Sequence, residues 1–210
     1  MSVRVGCLPD ARSTKLDGSS FIVTVLGTYV PVSWWSLLVL VPGAAVSVVV
    51  HRRLAARAGW CQRPTLLALL AIAMTLALTL APETGRIGVS GTIGVDGCLP
   101  DYAAQLVVDP FYNSGGITGG ILNLLLFLPL GLTAVLATRR WPAPVILVLL
   151  LPLAVEVCQS WIPGRYCNSS DIVTNMVGGM VGVLVGTAWI HLRAPRRARS
   201  VVAEGRRPRS

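Results

Sequence analysis

Apolar and polar positions fall into long blocks rather than into the short alternations of a soluble domain. A predominantly apolar stretch runs from Phe21 to Val50, and further apolar runs occupy Thr65–Ala81, Ile121–Thr138, Val145–Trp161 and Ile172–Leu192. These runs approach the roughly 20 residues needed to cross a hydrocarbon core. The first is longer than the h-region of a signal peptide and lacks a convincing cleavage site. Its second half, Val32–Val50, is therefore expected to be an uncleaved spanning helix. Phe21–Val30 is expected to form an interfacial or re-entrant piece that stops at Pro31. The pattern predicts an all-α fold, a polytopic transmembrane helical bundle of about five spans.

The blocks divide the chain into an N-terminal extramembrane or interfacial segment (1–31), two transmembrane helices (32–82), an outer loop (83–120), a three-helix core (121–192) and a basic tail (193–210). From Glu83 to Gly120 the sequence turns to Gly, Asp, Pro and Asn, as expected of an extramembrane loop. The connectors Arg139–Pro144 and Ile162–Asp171 are short, so the last three helices must be antiparallel neighbours in sequence order.

Composition agrees with a lipid solvent. The chain is 53% hydrophobic and 13% charged, against about a quarter charged in soluble domains. The net charge of +9 does not make nucleic acid an expected partner, because the arginines sit beside apolar runs, where they set topology or meet anionic lipid. Arg52, Arg53, Arg57 and Arg63 fill the first connector, Arg139 and Arg140 the third, and more follow from Arg193 to Arg209. Retention of positive loops in the cytoplasm then predicts a multi-pass plasma-membrane protein with its N-terminus outside and its C-terminus inside. Arg4, Arg12 and Lys15 run against this rule.

The five cysteines, Cys7, Cys61, Cys98, Cys158 and Cys167, lack zinc-site spacing, and no metal or cofactor is expected. In this topology Cys98 and Cys167 share the oxidising side, where pairing is open to them, and Cys158 is expected to pack inside the apolar run. Gly-Cys-Leu-Pro-Asp occurs twice, at Gly6–Asp10 and Gly97–Asp101.

Polar residues interrupt the last three spans at Asn123, Glu156, Gln159, Asp171 and Asn175, with Arg165 in the connector between the fourth and fifth. Ionisable groups within a membrane demand a reason. Helix directions place all of them near the outer boundary, and the spacings Glu156/Gln159 and Asp171/Asn175 put each pair on one helical face. Two readings stand for several of them. Asp171 is either a ligand group or the N-cap of a helix starting at Ile172, with Ser169 and Ser170 as rival caps. Glu156 and Arg165 form either a structural ion pair or part of a site that grips phosphate or carboxylate. Asn123, Gln159 and Asn175 serve as ligands or as interhelical hydrogen-bonding groups. Gly178, Gly182 and Gly186 form a small-residue stripe for helix packing. Pro129 and Pro152 are expected to kink their helices. His51 and His191 fall at the opposite helix ends, which leaves no Ser/His/Asp arrangement.

The segments Asn123–Gly131 (NLLLFLPLG), Glu156–Gln159 (EVCQ), Arg165 and Asp171–Gly178 (DIVTNMVG), in this order on successive helices, resemble the signature of the VanZ-like family of bacterial integral membrane proteins. Tyr166-Cys167-Asn168-Ser169 replaces a further acidic or polar position usual between the arginine and the aspartate. The resemblance implies the family's helical fold and a polar cluster of Asn123, Glu156, Gln159, Arg165, Asp171 and Asn175. The family's namesake is associated with low-level resistance to the glycopeptide teicoplanin.

Two classes of function follow. One is a non-enzymatic envelope protein whose outward cluster recognises a polar or anionic headgroup, on a cell-wall lipid precursor or a glycopeptide, with membrane lipids as its surroundings. The other is a membrane enzyme acting on a lipid-linked envelope substrate with Glu156 or Asp171 as acid/base. The lack of an evident nucleophile favours the first.

Overall fold

Among the described residues, five stretches are helical over 18 to 25 residues each and apolar enough to cross a membrane. The structure is a computed structural model and describes residues 20–25, 28–80, 116–162 and 167–193. The helices are α1 (Trp34–Ala58), α2 (Gln62–Thr79), α3 (Gly116–Thr138), α4 (Pro142–Gln159) and α5 (Ser169–Arg193). The bundle is all-α. A short antiparallel hairpin, β1 (Ser20–Val25) and β2 (Thr28–Ser33), precedes it, pairing Phe21 with Val32 and Ile22 with Pro31.

The hairpin's strands fall on the segment expected to be an interfacial or re-entrant piece, and β2 continues past the stop expected at Pro31 to Ser33. The run Phe21-Ile22-Val23-Thr24-Val25 is aromatic and β-branched, which suits strand more than helix. Pro31 is tolerated because each strand of a two-stranded ladder is an edge.

Helix α1 continues eight residues beyond the expected end at Val50, through His51, Arg52 and Arg53 to Ala58. Arginine is a good helix former and ends no helix by its charge. The stop comes at Gly59, whose φ of 68° places it in the left-handed region. Trp60 N–H then donates to the Ala55 carbonyl at 2.8 Å, completing a Schellman end. Helix α3 stops in a related way with Arg139 at φ 53° and its N–H on the Val135 carbonyl at 2.8 Å. A non-glycine residue there costs about 1–2 kcal/mol. The Arg139 Nε–H donates to Cys61 Sγ at 3.3 Å, which fixes the side chain, and Cys61 N–H donates to the Ala137 carbonyl at 3.0 Å. The α1–α2 connector thus covers an otherwise orphaned carbonyl at the end of α3.

Helix α3 lies between α2 and α5, α4 packs on α5 and α3, and α1 packs on α2. The closest approach is between α3 and α5. A Cβ placed on Gly178, Gly182 or Gly186 would run into the carbonyls of Leu124, Leu128 and Leu132 respectively, and one on Gly131 into the Gly179 carbonyl. The paired numbers rise together, so α3 and α5 are parallel and meet backbone to backbone. On the adjoining face, a Cβ on Gly179 would lie 2.6 Å from Val148 Cβ. Val135, Val148 and Val183 form the core of this three-helix unit.

Large apolar side chains on the outer faces, such as Leu37, Val41 and Val49 of α1, Leu150 of α4 and Leu184 of α5, are exposed, as lipid contact requires. Cys158 is also exposed rather than packed as expected, because its neighbours Glu156 and Gln159 take the inward face of the last turn of α4. All six tryptophans stand at or beside helix ends: Trp34 and Trp35 open α1, Trp60, Trp141 and Trp161 follow or precede helices, and Trp189 lies in the last turns of α5. Amphipathic rings favour the two membrane–water interfaces in this way. Trp34 stacks on Trp35 at 4.1 Å between ring centroids, and the Arg193 guanidinium lies 4.0 Å from the centre of the Trp189 ring.

Because neighbouring backbone occupies the space beside Gly182, Gly182→Val is expected to lower stability by about 1–3 kcal/mol or more. Gly43→Ala should cost less, since its methyl meets only the Ala73 methyl on the peripheral α1–α2 contact, at 2.9 Å. Thermal unfolding of the two variants in detergent checks the order.

Candidate functional site

The end of α4 and the start of α5 are joined by a chain of main-chain and side-chain hydrogen bonds. Asn168 stands just before α5 and is its N-cap. Its carbonyl accepts the N–H groups of Asp171 and Ile172 at 3.1 and 3.2 Å, and its Oδ1 accepts the Ser170 N–H at 3.0 Å. This corrects the expectation of a cap at Asp171, Ser169 or Ser170. Helix α5 begins at Ser169, three residues earlier than the apolar run suggests, because an asparagine cap extends it beyond the hydrophobic boundary.

Glu156 lies in the last turn of α4 and is 2% exposed. Its Oε2 accepts the Asn168 N–H at 2.9 Å, so one residue both caps α5 and supplies a donor to the buried carboxylate. Asp171, in the first turn of α5, sits where the helix dipole favours negative charge. Its Oδ1 accepts Asn123 Nδ2–H at 2.8 Å. Helix α3 begins at Gly116, so Asn123 is about two turns inside it rather than at its start. The extra turns come from the glycine-rich stretch Gly116–Gly120, which propensity alone reads as loop.

Asn175, one turn beyond Asp171 on the same face, is 2% exposed, and among the described residues its Oδ1 has no hydrogen-bond partner. A buried acceptor without a donor costs about 1–3 kcal/mol. Gln159 has a different task. Its Nε2–H donates to the Thr79 carbonyl at 2.7 Å, satisfying one of the carbonyls that the end of α2 leaves open and tying α2 to α4. Arg165 lies outside the described residues.

The structure therefore brings Asn123 to Asp171 and Glu156 to Asn168, places Asn175 beside this group on α5, and turns Gln159 toward α2. Asn168 is a residue of this group that sequence reasoning missed. The signal was an asparagine before a helix, obscured by the two serines that follow it. Gly178, next in line on α5 after Asn175, is one of the positions where the backbones of α3 and α5 meet. Among the described residues no three His, Cys, Asp or Glu side chains stand where they could hold a metal ion. The arrangement is suited to holding a polar group by hydrogen bonds at one end of the bundle, with an unfilled acceptor at Asn175.

Two substitutions separate capping from packing here. Asn168→Ala is expected to destabilise the protein by about 1 kcal/mol, and Asn168→Ser, which keeps a capping oxygen, by little. Equal losses in thermal unfolding would contradict the cap assignment. Gln159→Leu is expected to cost about 1 kcal/mol, read by the same measurement.

A family model described as VanZ/LLP1 matches residues 66–190, from the first turns of α2 to the last turn of α5. The match reaches further toward the N-terminus than the three-helix signature, taking in α2, which Gln159 ties to the site. No curated protein and no solved structure matches the chain. With more than half of its length matched, this multi-pass membrane chain belongs to the VanZ/LLP1 family.

Proposed function

We propose that this protein is a non-enzymatic component of the bacterial cell envelope whose polar site opens at the outer end of the α3–α4–α5 unit. There it holds the polar head of an amphiphile: a lipid-linked cell-wall precursor or an acylated glycopeptide of the teicoplanin type, to which it contributes resistance. Arg165, in the α4–α5 connector, supplies the cation for a phosphate or carboxylate.

Orientation rests on two independent supports. Arg52, Arg53, Arg57, Arg63, Arg139 and Arg140 gather at the opposite end of the bundle, the end that positive loops hold in the cytoplasm. Cys167, at the site end, is disulfide-bonded, as an oxidising compartment permits.

The observation that carries the binding reading is the buried Oδ1 of Asn175, one turn beyond Asp171 on α5, which has no hydrogen-bond partner among the described residues. A ligand donor offsets the desolvation that Asn175 bears without one. Catalysis by Glu156 or Asp171 is the competing reading. One oxygen of each carboxylate already accepts a hydrogen bond from the protein, which favours holding over proton abstraction.

Arg165→Ala and Asn175→Leu are each expected to abolish a teicoplanin-resistance phenotype in a sensitive bacterial host while membrane abundance stays normal. Resistance unchanged in both variants at equal abundance would refute the assignment.

A further inference from the structure

The end of the bundle away from the polar site carries positive charge that no carboxylate among the described residues offsets. Arg57, Arg63, Arg139, Arg140 and Arg193 are exposed there. The acidic side chains among the described residues, Glu156 and Asp171, stand at the other end. At the basic end two connectors meet. The Cys61 N–H, between α1 and α2, donates to the Ala137 carbonyl at 3.0 Å, and the Arg139 Nε–H, between α3 and α4, donates to Cys61 Sγ at 3.3 Å.

Arg139 is the unusual member of this group. Helices α1 and α3 both stop at a residue in the left-handed region, but α1 uses Gly59 where α3 uses Arg139. Glycine adopts that backbone without strain, so the guanidinium is what arginine adds at this position. A thiol is a weak acceptor, and the Cys61 contact by itself offsets little of the strain. That contact engages Nε and orients the group. The two Nη groups, which have no partner among the described residues, form the edge that matches a pair of phosphate oxygens.

We propose that the paired connectors bind the phosphodiester of an anionic phospholipid, with Arg139 gripping two of its oxygens and Arg63 and Arg140 beside it. Arg63 lies two residues past Cys61, in the first turn of α2. Arg140 follows Arg139 directly, and its N–H donates to Thr138 Oγ1 at 3.3 Å, which pins the backbone there. Arginines with no carboxylate among them favour a net-negative headgroup over one that carries its own ammonium.

The surroundings select a lipid over a free anion. Trp60 and Trp141 flank the connectors, and Trp141 is 61% exposed, as suits a ring at headgroup level. On α2 the face of Arg63 continues through Leu67 and Met74. Both are about half exposed and give the acyl chains an apolar track leading away from the headgroup. A lipid held in this way ties the α1–α2 and α3–α4 connectors together. Neither the ligand nor the orientation proposed for the polar site enters this inference.

Purified full-length protein in detergent is titrated with phosphatidylglycerol or with phosphatidylcholine. Native mass spectrometry counts bound lipid, and thermal unfolding records stabilisation. Phosphatidylglycerol is expected to bind about tenfold more tightly than phosphatidylcholine. Equal binding of the two lipids, or equal stabilisation by inorganic phosphate at the same concentration, would overturn the inference.

Position is tested by two kinds of substitution. Arg139→Gln and Arg139→Lys are each expected to lose most of the preference, because lysine keeps the charge but not the paired donors. Arg193→Gln removes a charge at the same end, beside Trp189, and is expected to retain it. An Arg139→Lys variant that binds like wild type, or an Arg193→Gln variant as weak as Arg139→Gln, would show diffuse attraction and contradict the site. Should the Arg139 variants not accumulate, Arg63→Gln and Arg140→Gln are each expected to weaken phosphatidylglycerol binding about fivefold, again against Arg193→Gln as the reference. Losses equal to that of the reference would likewise contradict it.

Discussion

The parallel contact between α3 and α5 holds the bundle in register, and the polar end is assembled around it. Lipid offers helices no hydrophobic reason to associate, so close packing and interhelical hydrogen bonds must hold them. Glycine at 178, 182 and 186 lets α5 rest on the carbonyls of Leu124, Leu128 and Leu132. That contact fixes axial register as well as distance, since Gly131 meets the Gly179 carbonyl on the same seam. With register fixed, Asn123 on α3 comes within hydrogen-bonding distance of Asp171 on α5. Helix α4 fills the remaining side through Val148 against Gly179, and so delivers Glu156 to the same end.

A second constraint is that polar backbone near the membrane must find partners inside the protein. Several helix-end groups are closed here by neighbouring helices, beyond the local turns at Gly59 and Arg139. The α2 carbonyl of Thr79 takes a side-chain donor from α4, and the α3 carbonyl of Ala137 takes the N–H of Cys61. Asn168 closes α5 and Glu156 together. Against that background the buried acceptor on Asn175, one turn beyond Asp171, stands apart in having no hydrogen-bond partner among the described residues. Among the described residues two buried hydroxyls, Ser36 and Thr75, also lack a partner, but they lie on α1 and α2, away from the α3–α5 seam.

Much of this architecture is legible in the amino-acid sequence. The number and positions of the spans follow from run length, and the glycine stripe from its four-residue spacing. Asn123, Asp171 and Glu156 stand out because polar residues in such helices are costly. The features that stay hidden are set by tertiary contact or by local competition. Gln159 shares a helical face with Glu156, yet a carbonyl of a helix distant in sequence claims it. The cap at Asn168 competes with two adjacent serines of comparable propensity. Helix α3 gains extra turns at Gly116–Gly120 where propensity argues for loop, and α1 runs through its arginines until Gly59 supplies a left-handed residue. The apolar run that begins at Phe21 does not reveal its own secondary structure by length, and its β-branched content makes Phe21–Val25 strand.

Whether the polar group on α3, α4 and α5 faces outward is decided by side-specific labelling. A single cysteine replaces Trp161, exposed just beyond α4, in one protein whose five native cysteines are serine. A second protein keeps Cys61, at the arginine-rich end, and carries serine at the other four. Intact cells are treated with a membrane-impermeant maleimide before and after permeabilisation. An outward site predicts labelling of Trp161→Cys in intact cells and of Cys61 only after permeabilisation. The reverse pattern would place the site on the cytoplasmic side and contradict the proposed orientation.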